Sequence, residues 1–375
     1  MRRLLNLALV VGFLAIIGLP LSANIAGKDG GDQKAENRDL AMFPPFEWTW
    51  ASAVAWPNGF DEWFQDHFGF RSTLVRWYGE SRYYGLHVSP SAQVVRGQEG
   101  WLYYADDAGL DDYTNETPLP PGEIENWRQT IIRARDWCRA HGIAYVFTIP
   151  PDKPVIYPEY FDDTVLQLSP VSRADQVFTA TLDTGVVIDV RQAMLAGKSH
   201  DRLFQKTDTH WNERGAFLAY QQIIDAVHRQ LPAVPPAPDR SAFNATTRML
   251  SGQDLAALMG LKWVMSEEEL RLVPKKPHAY VVVEPPGEYA TAGLGRIVTE
   301  IPGSTLPRAV IFRDSFTSLL APYLSEHFSR AVYLWQNNFD ADDVLKEHAD
   351  VVIEEIVGRH LHNFIPSPEL IPDSR

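Results

Sequence analysis

The sequence predicts an α/β fold built on a mostly parallel sheet with helices on both of its faces. Short, continuously apolar segments alternate with longer segments whose apolar residues recur at helical spacing. A continuous apolar run is typical of a strand that is buried on both faces. The apolar segments are IAYVFTIP (143–150), GVVIDV (185–190), RAVIFRDSF (308–316), RAVYLWQ (330–336) and ADVVIEEIV (349–357).

Three helices are predicted from the segments that lie beside these strands. PPGEIENWRQTIIRARDWCRAHG has Pro at its start and Gly at its end, the asymmetry that is typical of helix termini. A second helix runs from Asn212 to Leu231, with Asn212 as its N-cap, and a third covers DADDVLKEHA. In parallel sheets of this kind, ligands bind at the carboxyl ends of the strands.

Two further structures are predicted before the alternation begins. FDEWFQDHFGFRSTLVRWYGESRYYG carries apolar residues at roughly helical spacing and is interrupted at Gly69, so it predicts two short amphipathic helices. Its aromatic residues could form a sugar-binding surface, but core packing is the commoner role of such a stripe. VVRGQEGWLYYADD predicts a strand, a tight turn at 97–100 and a second strand.

The N-terminus has the pattern of an export signal. Arg2 and Arg3 are followed by a run without charge from Leu4 to Ala26, which is long enough to remain as a membrane anchor. LSA, ending at Ala23, is a passable cleavage site, and we favour the uncleaved anchor. We therefore expect a signal anchor over 1–26, a Gly-rich charged linker over 27–39 and one folded domain over 40–375.

Composition excludes some functions. The chain has 375 residues and a net charge of -14, which argues against a nucleic-acid partner. Its single cysteine, Cys138, cannot form an intrachain disulfide, and it lies in the apolar pattern of a helix. We therefore expect a core thiol there, not a nucleophile.

Two segments at predicted strand ends carry reactive side chains. Ser315 directly follows the strand AVIFRD, and a helix beginning near Thr317 would direct backbone N–H groups to the same point. Asp208 and His210, in KTDTHWNERG, could supply a base and its orienting carboxylate. In an extended segment their side chains would project to the same side.

Other interpretations of the Asp-x-His pair stay open from the residues themselves. Asp208 could cap a turn, and His210 could satisfy a buried carbonyl. A metal site formed by His200, Asp201, Asp208 and His210 lacks a second His at helical or hairpin spacing, so no metal and no other cofactor is expected.

Seven segments spread along the chain match motifs of one known family. They are ENRDLAMFPPF, DHFGFRSTLVRWY, VVRGQEGWLYY, IPPDKPVIYPEYF, DTHWNERGA, SGQDLAALMGL and RDSF. This set resembles the periplasmic alginate O-acetyltransferase family, in its membrane-tethered, single-domain branch. The resemblance implies an SGNH-hydrolase-like fold, with Ser315 as nucleophile, His210 as base and Asp208 as the carboxylate. Arg313 is a departure, because Gly is common at that position.

The resemblance also implies two-step acyl transfer, in which the tetrahedral oxyanion needs at least two donors. One is the N–H of Ser315. Three polar residues near predicted strand ends are candidates for the second: Lys153, Arg313 and Asn337. Trp211 could stack on a sugar ring, although packing against the following helix is the commoner role.

The function that the resemblance implies is O-acetylation of an exopolysaccharide such as alginate. The acetyl donor would be supplied by a membrane-bound O-acyltransferase, and the protein would lie in the periplasm, tethered to the inner membrane. Two alternatives use the same sequence features: a carbohydrate acetylesterase with the same triad, and a non-catalytic component of exopolysaccharide secretion.

Overall fold

The computed structural model describes residues 2–25, 39–161, 164–282 and 295–373. The predicted linker lies outside these residues except for Asp39. The helices are α1 Arg2–Ile25, α2 Trp50–His67, α3 Arg71–Glu80, α4 Gly109–Thr114, α5 Pro121–Ala140, α6 Lys153–Ile156, α7 Arg173–Thr181, α8 Arg191–Gly197, α9 Glu213–Gln230, α10 Asp254–Leu258, α11 Ala321–Leu324, α12 Ala341–Lys346 and α13 His360–Asn363. The strands are β1 Val94–Arg96, β2 Leu102–Tyr104, β3 Ala144–Thr148, β4 Val187–Ile188, β5 Phe243–Ser251, β6 Ser266–Pro274, β7 Tyr280–Val282, β8 Arg296–Glu300, β9 Arg308–Arg313, β10 Arg330–Trp335 and β11 Val351–Glu355.

The chain divides into two compact units. The first comprises 1–96 and 250–267, and the second comprises 97–249 and 268–375. The boundaries predicted at 26/27 and 39/40 lie within or beside the undescribed segment 26–38, so the division into anchor, linker and domain stays a prediction.

The second unit is built on a seven-stranded sheet of order β4-β3-β11-β9-β10-β8-β7. β3 pairs in parallel with β4 and β11, and β9 pairs in parallel with β11 and β10. β8 is antiparallel to β10, and β7 is antiparallel to β8. The predicted α/β sheet, mostly parallel, is confirmed, and every apolar segment named above supplies one of its parallel strands.

Helices cover both faces of this sheet because its strands are apolar on both sides. On one face, α5 packs Trp127, Ile131 and Trp137 against Tyr145 and Phe147 of β3. On the other face, α9 contacts β3 and β4. α9 begins after its predicted N-cap, whose side-chain oxygen accepts from the N–H groups of Arg214 and Gly215.

The first unit contains the aromatic segment. Thr49 caps α2, so this helix begins about ten residues earlier than the aromatic pattern predicted. Trp56, Phe60 and Trp63 are half-buried and stack in series, with Phe43 at their edges. The core interpretation is wrong for α3, where Leu74, Trp77 and Tyr78 are exposed.

Candidate active site

The structure brings Ser315, His210 and Asp208 together at the carboxyl end of β9. Ser315 stands two residues after that strand, in ordinary right-handed helical geometry at φ -70° and ψ -25°. Asp208 and His210 lie in the loop between α8 and α9. A bridge between Phe204 and Trp211 closes the base of this loop. The loop and the strand end therefore meet although they lie more than a hundred residues apart in the chain.

Hydrogen bonds join the three side chains in a line. His210 Nε2 lies 2.7 Å from Ser315 Oγ, and His210 Nδ1 lies 2.7 Å from Asp208 Oδ1. The same carboxylate oxygen accepts the backbone N–H of His210 at 2.8 Å. The loop is bent, not extended as predicted, because Asp208 turns back onto its own backbone two residues on. Asp208 is therefore both the turn residue and the partner of the imidazole.

The electrostatics keep Asp208 ionised at neutral pH. Burial would raise its pKa, but the hydrogen bonds from His210 and the positive charge of Lys153 lower it below its ordinary value. An ionised carboxylate at Nδ1 holds the proton on that nitrogen, which leaves Nε2 free to accept from Ser315. The side chain of His210 is 27% exposed and that of Asp208 is 20% exposed, so solvent reaches part of each side chain.

Lys153 lies inside the protein behind this loop. Its side chain is buried at 2% exposure, and Nζ donates to the carbonyl oxygens of Leu102, Gln205 and Lys206 at 2.5, 3.0 and 3.1 Å. An ammonium has three N–H bonds, and three carbonyl oxygens accept from this one. Lys153 therefore ties the loop to β2.

A buried carboxyl pair holds the turn that carries Ser315. Asp314 accepts the N–H groups of Phe316 and Val357, each at 2.8 Å. Beneath it, one oxygen of Glu355 accepts the N–H of Asp314 and the hydroxyl of Thr317. Three of these bonds join the end of β11 to the segment after β9, and the bond from Phe316 closes that segment on itself, so the backbone on either side of Ser315 is held.

The two carboxyl groups of this pair have opposite pKa shifts. Burial, followed by the negative charge of Asp314, raises the pKa of Glu355 well above its ordinary value. Burial would raise that of Asp314 too, but the approach of His360, a contact with Glu355 and hydrogen bonds from two N–H groups lower its pKa. The two shifts therefore favour a proton on Glu355 and an ionised Asp314.

His360 stands beside the same turn. Its Nε2 lies 2.7 Å from Asp107 Oδ2, and its Nδ1 lies 3.6 Å from Asp314 Oδ2. Burial would lower its pKa, but these two carboxylates raise it above its ordinary value. Asp107 has φ +49°, a left-handed conformation that is uncommon outside glycine, and its contact with His360 stabilises that turn.

The helix predicted near Thr317 is much shorter than expected. A 3-10 turn over Phe316–Leu319 is followed by one turn of α-helix, Ala321–Leu324. The N–H of Phe316 is engaged by Asp314, so it does not point at the nucleophile. Within the described ranges, the backbone N–H of Ser315 makes no hydrogen bond, which leaves it available to a ligand.

The remaining candidates do not converge on Ser315. Arg313 is 3% exposed, and it donates to Asp314 O and Ser318 Oγ while its guanidinium lies over the ring of Trp335. Asn337 lines a small cavity with Trp127 and Glu354, to which no triad side chain contributes. Trp211 is 1% exposed and donates to Phe316 O, so its ring packs in the core as the commoner interpretation held.

Sequence reasoning missed three residues around the turn. Glu355 gave a usable signal, because a charged residue ending the buried run VVIEE needs a partner. Asp314 lies in the segment RDSF, but the sequence argument considered only Ser315 in that segment and gave Asp314 no role. His360 and its loop partner Asp107 lie far apart in sequence and show no shared pattern.

A parallel α/β sheet with Ser, His and Asp in a hydrogen-bonded line at its strand ends defines the serine-hydrolase-like class of α/β proteins. The chain belongs to the family described as SGNH hydrolase-like domain, acetyltransferase AlgX, whose sequence model matches residues 94–290. The resemblance noted from the motifs is confirmed. The matched range contains Asp208 and His210 and ends before Ser315.

Individual relatives are similar over shorter stretches. The probable alginate O-acetylase AlgJ of Pseudomonas putida is 30% identical over 150 residues, which are 36% of this chain and 34% of that protein. The protein of the same name from Pseudomonas fluorescens is 30% identical over 148 residues, 37% of this chain and 34% of its own. The match thus spans about a third of the length of these curated relatives.

Among solved structures, PatB1 of Bacillus cereus has a similar fold. It superposes with a TM-score of 0.51 at 17% sequence identity, covering 70% of this chain and 95% of that one. At this identity the similarity supports the fold and nothing finer.

Proposed function

We propose that this protein is an O-acetyltransferase that carries an acetyl group on Ser315 and passes it to hydroxyl groups of an exopolysaccharide such as alginate. The observation that supports it is the line of hydrogen bonds from Asp208 through His210 to Ser315, with both links at 2.7 Å. The polymer is proposed from the family and from the relatives named alginate O-acetylase.

In the first step, Ser315 Oγ attacks the carbonyl carbon of an acetyl donor and its proton passes to His210 Nε2. The C–O bond to the donor then breaks, and the leaving group takes that proton, which leaves acetyl-Ser315. In the second step, a sugar hydroxyl gives its proton to Nε2 and attacks the acetyl carbon. The Ser315 oxygen leaves, recovers the proton, and the sugar ester is released.

Negative charge develops on the carbonyl oxygen in both steps. The N–H of Ser315 is the proposed first donor to this oxyanion, since no other acceptor engages it within the described ranges. Asp208 stabilises the imidazolium that forms on His210 without touching the acyl group. Asp314 and Glu355 act through the backbone of Ser315, as positioning residues.

The proposed setting is the periplasmic side of the inner membrane. Within the described residues, one helix is long and apolar enough to cross a membrane, Leu5–Asn24, with a mean hydropathy of 2.2. Arg2 and Arg3 precede it, which favours a cytoplasmic N-terminus. We propose that this helix stays as an anchor and that a membrane-bound O-acyltransferase supplies the acetyl donor.

The chemical proposal is tested with p-nitrophenyl acetate as an activated donor. We expect Ser315→Ala to lose roughly 10⁴-fold or more in turnover and His210→Ala to lose nearly as much, because the two residues act as one unit. Asp208→Ala should be milder, and its turnover should stay about 10 to 100 times higher than that of Ser315→Ala. Ser318→Ala is the matched control, a hydroxyl three residues away, and should keep wild-type turnover.

Product analysis separates transfer from hydrolysis. With an alginate oligosaccharide present, wild-type protein should form acetylated sugar in place of free acetate, and intact-mass measurement should detect one acetyl group on Ser315. Release of acetate only, at a rate indifferent to the sugar, would make the protein an acetylesterase. Turnover that survives Ser315→Ala would contradict the acyl-enzyme altogether.

A further inference from the structure

Helix α3 of the first unit has one face packed within that unit. A Cβ added at Gly79 would lie 2.6 Å from the carbonyl oxygen of Met259, and one added at Gly260 would lie 2.7 Å from Val75 Cγ1. Such approaches leave no room for a side chain, so this face is in close contact with the segment around α10. This packing does not cover the side of α3 that points away from α10.

That opposite face is apolar and exposed. Phe70, Leu74, Trp77 and Tyr78 are 38, 42, 59 and 54% exposed. Leu74, Trp77 and Tyr78 lie at i, i+3 and i+4 on one side of α3, and Phe70 is the residue just before its first turn. We call these four residues the α3 stripe. Large side chains contiguous on one exposed face mark a surface that contacts an apolar or interfacial partner.

The α3 stripe begins beside the end of the apolar helix α1. Gly69, at the corner between α2 and α3, donates its N–H to the carbonyl of Pro20 at 3.1 Å. The side chain of Asn24 donates to the carbonyl of His67. A Cβ at Gly69 would lie 2.4 Å from Cβ of Ala23, so the corner presses against the last turns of α1.

If α1 crosses a membrane, its length indicates the depth in the bilayer at which the corner at Gly69 lies. The apolar span of 20 residues, Leu5–Asn24, rises about 30 Å, the thickness of the hydrocarbon core. With Arg2 and Arg3 on the cytoplasmic side, Pro20 to Asn24 lie at the outer surface. α3 starts at this surface, because Gly69 is bonded to that part of α1.

The charge of this segment fits lipid headgroups. Residues 70–85 contain Arg71, Arg76 and Arg82 and a single acidic residue, Glu80, in a protein with a net charge of -14. Arg76 pairs with Glu80 at 3.9 Å and Arg71 lies 4.0 Å from Asp66, whereas the guanidinium of Arg82 lies 5.7 Å from the ring centre of Tyr78. Trp and Tyr beside arginine are typical of the interface between lipid and water.

We propose that the α3 stripe is a membrane-docking surface, seated in the outer headgroup region of the bilayer that α1 crosses. Phe70, Leu74, Trp77 and Tyr78 enter the interface. The inference rests on the proposed anchor and is independent of the chemistry at Ser315. It means that α1 and α3 together, not a single tether, hold the first unit at the lipid surface.

The test uses the full chain reconstituted in vesicles of phosphatidylcholine and phosphatidylglycerol. Trp77→Cys is labelled with an environment-sensitive fluorophore, and Leu182→Cys in the second unit, at a position 78% exposed, is the matched control. The native Cys138 is fully buried and should not react, and the same labelling in Cys138→Ala protein checks this. Doxyl lipids should quench the label at position 77 several-fold more than the label at 182.

The outcomes are distinct. If the protein floats with the vesicles and position 77 is quenched no more than 182, the docking surface is wrong while the anchor stands. If the protein does not float with vesicles, the anchor fails and the docking proposal fails with it. Leu74→Glu provides a second measurement that needs no label at 77: Trp quenching by brominated lipid should fall, and unchanged quenching would contradict the docking surface.

Discussion

Replacing Lys153 with Met is the sharpest test of how the loop of Asp208 is held. Met has a similar length and no donor, so Lys153→Met removes three hydrogen bonds from a side chain that is 2% exposed. In this variant the carbonyl oxygen of Lys206 still accepts the N–H of Leu102, whereas the carbonyl oxygens of Gln205 and Leu102 lose the ammonium as donor. Each buried carbonyl left without a donor costs about 1–3 kcal/mol, and the bond that Lys206 retains favours a total of about 3 kcal/mol.

The expected result is a loss of about 3 kcal/mol in the free energy of unfolding, measured by urea denaturation at neutral pH. Lys153→Arg should not restore it, because the planar guanidinium cannot match three carbonyls arranged around one nitrogen. Lys206→Met is the matched control: its Nζ donates to the carbonyl of Glu99 at the surface, and we expect less than about 1 kcal/mol.

Measuring turnover beside stability shows whether Lys153 only positions the loop or takes part in acyl transfer. If Lys153 only ties the loop, turnover and stability should fall together, with turnover reduced by about 10 to 100-fold through misplacement of His210. A donor to the oxyanion would lose about 10²–10³-fold in turnover at unchanged stability. If Lys153→Met shows such a loss of turnover while its free energy of unfolding is unchanged, the positioning role is refuted. Lys153 would then again be a candidate donor to the oxyanion.

Two further predictions concern the same region. The folded-state pKa of Glu355 is raised above 4.5, so the folded state binds its proton more tightly, and this stabilisation is lost as pH rises from about 4.5 towards the folded-state pKa. Glu355→Gln should therefore match the wild-type melting temperature below about pH 4.5 and exceed it increasingly as the pH rises from there; parallel melting curves across pH would contradict the shift. Asn212→Ala removes the α9 N-cap and the bond from its amide to the carbonyl of Arg202, and should cost about 1–2 kcal/mol, measured by urea denaturation. Asn212→Ser keeps a capping oxygen and should lose less, and equal losses for both variants would argue against capping.

Much of the second unit follows from the sequence because its signals are local. The run AVIF is apolar at every position, as is typical of a strand buried on both faces, and it lies in β9. Asn212 was predicted as an N-cap from its place before a helical pattern, and the cap bonds are present. Ser315, His210 and Asp208 were named from strand and loop ends, and their catalytic roles remain predictions.

Local patterns failed where the partner of a side chain decided the outcome. The spacing of Leu74, Trp77 and Tyr78 correctly indicated one helix face, but spacing cannot tell whether protein, water or lipid covers that face. Lys153 was visible as a polar residue near a strand end. That three backbone carbonyls converge on it depends on residues 102, 205 and 206, which no periodicity connects.

The sequence by itself determined the elements, their order and the residue types able to support acyl transfer, because helix and strand periodicity is written in neighbours a few positions apart. Tertiary structure decided the 2.7 Å contact between His210 and Ser315, which depends on how the loop before α9 meets the end of β9. It also decided that the pKa values of Asp314 and Glu355 shift in opposite directions beneath the serine, since burial and the approach of two carboxyl groups exist only in the folded chain.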